Sequence, residues 1–89
     1  MTDLLELAAR VEGLKESSNE VDVLVEIALF EPDEDAAAIS ANSAGTKVIY
    51  YGHDGRSETH RAQDWTHGKP MRMMTARRLR ARAHGGGAG

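Results

Sequence analysis

The sequence predicts an α+β fold: a single small domain of order ααβββα, with a three-stranded antiparallel sheet carrying helices on both faces. Two apolar stripes at helical spacing open the chain. A β-branched and aromatic run with a hairpin turn follows, and an arginine-rich segment of helical composition closes it. With 89 residues the chain makes one thin core, since a domain of this size buries roughly 60–65% of the surface its unfolded chain exposes. The domain is assigned to residues 1–84, and 85–89 read as a flexible glycine-rich tail.

Asp3 followed by Glu6 has capping-box spacing and starts the first helix. Leu4, Leu7, Ala8, Val11 and Leu14 then form its apolar stripe, which Gly13 and the polar run Glu16–Asn19 bring to an end. Ser17 with Glu20 repeats the capping spacing and opens a second helix. Val21, Leu24, Val25, Ala28 and Leu29 line its core face, widened by Val23, Ile27 and Phe30, and Pro32 stops it. Two helices joined by a few polar residues should form an antiparallel αα-hairpin.

Residues 36–41 are small apart from Ile39 and read as a weak strand; Ser43-Ala44-Gly45 reads as a turn. Lys47-Val48-Ile49-Tyr50-Tyr51 is the strongest strand signal in the chain. Asp54-Gly55 is a hairpin turn, and Arg56–Ala62 returns as a polar edge strand. Residues 48–51 show no polar alternation, and a strand apolar on both faces needs cover on both sides of its sheet. The last helix starts at Lys69 or Pro70, with Met71, Met74, Leu79 and alanines as its stripe. The three methionines Met71, Met73 and Met74 are expected to close the core, with Met73 turned away from the other two.

Charge divides the chain. Residues 1–45 carry eleven carboxylates against Arg10 and Lys15, a net of −9, whereas residues 46–89 carry nine cations against three carboxylates, a net of +6. The chain has no cysteine, which excludes disulfides, thiol catalysis and thiolate metal sites. Its apolar runs are too short to span a membrane. The acidic start lacks the features of a signal peptide. An intracellular soluble protein with no membrane partner is expected.

Several segments together resemble small proteins encoded by tailed phages and prophages of proteobacteria. They are Asp3–Leu7 with Val11-Glu12-Gly13-Leu14 and Glu20-Val21-Asp22, then Ala44–Tyr50 with Asp54-Gly55 and Asp64-Trp65-Thr66, and the closing Leu79–Ala83. Lys15–Ser18 replaces the usual Gly-Pro turn of that group, and the last helix is richer in arginine. The resemblance implies a small α-β-α sandwich of phage origin, for which the host cytoplasm is the expected location; no assigned activity comes with the group, so it transfers no functional residue.

The chemistry-bearing residues argue in the same direction. His53, His60 and His67 are seven apart across a turn, a strand and a loop, so no element gathers them, and no metal or cofactor is expected. Ser57 and His60 point to opposite faces of a strand, which defeats a nucleophile–base pair with Asp54. Gly45-Thr46-Lys47 inverts the phosphate-loop order. No catalytic residue is assigned. Trp65 reads as an anchor between the sheet and the last helix, or as an exposed binding residue. The expected function is non-enzymatic binding of another macromolecule, with inhibition of a host defence or replication complex as one version. The expected surface is an acidic face made of Glu12, Glu16, Asp22, Glu26, Asp33, Glu34 and Asp35, which would meet a basic host or phage protein. The alternative is a nucleic-acid-binding module using Lys69, Arg72, Arg77, Arg78, Arg80 and Arg82. These arginines would otherwise pair with the acidic hairpin or stand in solvent. A homo-oligomeric assembly component is the third reading, because thin cores are often completed by self-association.

Overall fold

A computed structural model describes residues 3–85. The elements are α1 (Leu4–Gly13), α2 (Asn19–Leu29), β1 (Ala38–Ala41), β2 (Val48–Tyr51), β3 (Ser57–His60) and α3 (Lys69–Gly85), in the predicted order. The glycine tail expected at 85–89 lies outside the described residues except for Gly85, which ends α3. No helix among the described residues is long and apolar enough to cross a membrane.

Local chemistry fixes the ends of the elements. The Asp3 side chain caps α1 by accepting from the Leu5 amide at 2.8 Å. The cap of α2 is Ser18, one residue later than the expected Ser17, and its Oγ accepts from the Val21 amide at 3.3 Å. The shift follows from tertiary contact, because the Ser18 amide is itself held by Thr66. The sheet runs β1-β2-β3 with both pairs antiparallel, so β3 is an edge as expected. Gly55 at φ +87° closes the hairpin after Asp54, a conformation a residue with a Cβ adopts only with strain.

The layering differs from the expectation. Helices do not cover both faces of the sheet: α2 alone packs on β1 and β2, while α1 packs chiefly on α3 and only secondarily on α2. One core cluster joins Leu7, Ala8 and Val11 of α1, Val21 and Val25 of α2, and Ala76 and Leu79 of α3. A second joins Val23 of α2 to Val48 and Ala62, with Ile27, Ile39 and Tyr50 packed against it. The element covered on both sides is therefore α2. Val21 and Val23 are two residues apart, about 200° around a helix, so α2 presents one apolar face to the helices and another to the sheet. β2 directs Val48 and Tyr50 at α2, while Ile49 is only half-buried on the other face and Tyr51 is 37% exposed there.

Met74 departs from its expected place in the core: it is 56% exposed and Met73 is 51% exposed, leaving Thr75, Ala76 and Leu79 as the buried side of α3. Thr75 at that position is tolerated because its hydroxyl donates to the Trp65 carbonyl at 2.7 Å.

Candidate functional site

Two of the acids predicted to form a partner surface face inward. Asp22 and Glu26 are four residues apart on α2 and share a side of the helix, but they are only 5% and 8% exposed. Both turn toward the connection between β3 and α3. Asp22 Oδ1 accepts from the Thr66 amide and from the Thr66 hydroxyl, each at 2.8 Å. The same hydroxyl oxygen accepts from the Ser18 amide at 2.8 Å, so one threonine ties the start of α2 to the approach to α3. Glu26 accepts from Trp65 Nε1 at 2.6 Å, from the Gln63 amide at 3.3 Å, and from the Tyr50 hydroxyl. A buried carboxylate is stable when donors meet its oxygens: Asp22 receives two on one oxygen, and Glu26 receives donors on both. Their role is to hold the 63–66 segment, and they are withdrawn from the acidic face.

Tyr50 registers this environment. Burial, and then the hydrogen bond and charge of Glu26, push its phenol up to about 12. A phenol whose pKa is raised on folding favours the folded state below the unfolded value near 10, and that contribution is lost as pH climbs from about 10 through 12. Denaturant titrations at pH 8, 10 and 11 should therefore show a loss of stability above pH 10 that is smaller in Tyr50→Phe.

The remaining acids lie on α1, in the turn after it, and between α2 and β1. The Arg80 guanidinium bonds Glu12, and chiefly through that hydrogen bond holds its carboxyl below the ordinary carboxylate range. Asp33 Oδ1 accepts from the amides of Ala36 and Asp35 at 2.9 and 2.8 Å, and these bonds, Ala36 foremost, lower its pKa. His53 Nε2 lies 2.7 Å from the Asp33 carbonyl, closing the loop against the hairpin. Of the seven acids, Glu16, Asp33, Glu34 and Asp35 stay exposed without an ion pair among the described residues.

The basic helix is also largely engaged. Arg72 donates to the Thr66 carbonyl at 3.1 Å, and Arg78 lies 5.4 Å above the centre of the Trp65 ring. Arg80 meets Glu12, and Arg82 meets Glu31 at 2.6 Å. Because α3 packs on α1 and α2, its arginines come beside the acids of the first half, and the two charges compensate each other in part. Trp65 anchors the loop, bonded to Glu26 on one side and covered by Arg78. Lys69 and Arg77 remain exposed, and neither makes an ion pair among the described residues.

What stays open on α3 is a ridge that the charge pattern did not single out. Lys69, Met73 and Arg77 follow one another at four-residue intervals, with Met74 beside them, and all are exposed. Met73 was expected to face outward, whereas Met74 was assigned to the core; its exposure follows from Thr75 and Ala76 taking the buried side. Among the described residues no group of three or more histidines and carboxylates is placed to hold a metal ion. A cavity of about 320 Å³ at the hairpin end is lined by Asp35, Asp54, Arg56 and Glu58 beside Tyr50. Asp54 there is already used by the Arg56 amide at 3.0 Å and by its guanidinium at 3.5 Å. Compared with known proteins, the chain matches no family model, no curated protein and no solved structure.

Proposed function

We propose that this domain is a non-enzymatic protein-binding module whose docking surface is the outward ridge of α3. The observation that carries the reading is the pair Met73 and Met74, 51% and 56% exposed, beside the unpaired cations Lys69 and Arg77. Methionine and arginine are enriched at protein interfaces, and a flexible thioether adapts to an apolar groove without a fixed shape. The fitting partner is a protein with an apolar groove rimmed by carboxylates. The resemblance to phage-encoded proteins supports a phage or host protein in that role.

This reading replaces the acidic face, whose central members Asp22 and Glu26 are committed to the loop before α3. It also narrows the nucleic-acid reading of α3, because Arg72, Arg78, Arg80 and Arg82 are engaged inside the fold. Partners captured on immobilised wild-type protein should be lost by Met73→Asp/Met74→Asp and weakened about tenfold or more by Arg77→Glu. Thermal melting should be unchanged in both variants, since these side chains are exposed. Capture that survives both variants would refute the ridge. Sedimentation of the pure protein reveals whether the partner is a second copy, in which case the dimer should dissociate in the same variants.

A further inference from the structure

The face of the sheet turned away from α2 carries a second, chemically distinct surface. In the strand register Ser40, Ile49 and Thr59 form one rank on that face, and Ala38, Tyr51 and Ser57 form the next. None of these is acidic, in a chain with fourteen carboxylates. Glu58 stands opposite Tyr50 and therefore belongs to the face that α2 covers. Just beyond the strands, Lys47 and Arg61 share with Thr59 an open depression of about 470 Å³, which Asn19 and Thr46 complete. Arg61 lies 3.8 Å from Asp64, with both side chains well exposed, and such a pair is too weak to hold the guanidinium back from a stronger anion.

We propose that this open face binds single-stranded nucleic acid, with backbone phosphates at Lys47 and Arg61 and a base stacked on Tyr51. Tyr51 is 37% exposed, and its hydroxyl lies 3.1 Å from Ser40 Oγ, so little freedom remains to be lost on stacking. Lys47 and Tyr51 are four residues apart along an extended strand, about 13 Å, which places the phosphate and base contacts at different nucleotides of one strand. Thr46 and Thr59 bring hydroxyls to the phosphate end. The Thr46 hydroxyl accepts from Asn42 Nδ2 at 3.2 Å and keeps its own hydrogen for a ligand oxygen. Cations beside a lone aromatic on an open, hydroxyl-bearing sheet face suit a splayed single strand, whose bases are free to stack, better than a duplex. The inference is independent of the α3 ridge, which lies on another element and takes another class of partner.

Fluorescence anisotropy with labelled twelve-nucleotide oligo(dT) and oligo(U), and with a duplex of equal length, tests it at 50 and 200 mM salt. Single strands should bind the full-length protein more tightly than the duplex. Two neutralised phosphates should weaken binding about sevenfold between the two salt concentrations. Lys47→Glu/Arg61→Glu should abolish binding, Lys47→Ala should weaken it, and Tyr51→Ala should cost about tenfold or more while Tyr51→Phe retains most of it. Arg77→Glu on α3 should leave binding unchanged. No binding at 50 mM salt would overturn the proposal. So would equal affinity for the duplex, indifference to the Lys47 and Arg61 changes, or loss on Arg77→Glu alone. Folding of each variant is checked by its circular dichroism and melting temperature, with Lys47→Ala as the mild variant that decides the outcome if the double reversal unfolds.

Discussion

Glu26→Ala should remove about 3–5 kcal/mol of stability, a large share of the roughly 5–15 kcal/mol that holds a domain folded. The side chain is 8% exposed and receives the Trp65 indole, the Gln63 amide and the Tyr50 hydroxyl. Truncation strands three donors in a part-buried site, and each unsatisfied group costs about 1–3 kcal/mol unless water replaces the carboxylate. Glu26→Gln should be far milder. Its amide oxygen can keep the Trp65 and Gln63 bonds, while its NH2 donates to the Tyr50 oxygen, because a phenol accepts as well as donates. A chemical-denaturation series of wild type, Glu26→Gln and Glu26→Ala should therefore show a small step followed by a large one. If Glu26→Ala unfolds at the wild-type denaturant midpoint, Glu26 does not hold the loop. The same reasoning bears on functional tests: charge reversal at Asp22 or Glu26 would destroy the fold, and any binding it abolished would say nothing about an acidic surface.

Leu79→Ala should cost about 3–5 kcal/mol and release α3, whereas Arg80→Ala should cost far less. Leu79 is fully buried in the cluster that joins all three helices, and α3 offers only Ala76 beside it as a buried apolar contact. A helix held by so few apolar contacts leaves no neighbouring side chain able to fill the cavity. The ion pair between Arg80 and Glu12 lies at a half-exposed edge, where water competes with it. Equilibrium unfolding should show the large loss for Leu79→Ala, and hydrogen exchange should show it concentrated in residues 69–85. A larger effect for Arg80→Ala would mean that charge, and not packing, seats the helix.

Much of the fold was legible because local rules govern it. The period of Leu4, Leu7 and Val11, the Asp3 cap, the Val48–Tyr51 run and the Asp54-Gly55 turn each depend on residues within a few positions, and each placed its element correctly. The site was less legible because its chemistry depends on which distant residues meet. Asp22 and Glu26 look like surface acids in sequence; their partners Thr66 and Trp65 lie about forty positions away and became identifiable only once the chain had folded. The one signal in the sequence was the apolar setting of α2, where Val21, Val23 and Val25 bracket Asp22 and leave no purely polar side.

By itself the sequence determined the class, the element order, the antiparallel sheet and the division of charge between the two halves. Tertiary structure alone decided that α2, and not β2, is the layer covered on both sides, because a helix apolar on two faces must be sandwiched. It also decided what the charges do. With α3 laid across α1 and α2, Arg80 and Arg82 reach Glu12 and Glu31, and the polarity so evident along the chain is partly neutralised in space. Electrostatic energy depends on separation in three dimensions, so charge listed along a chain acquires meaning only when packing fixes those distances.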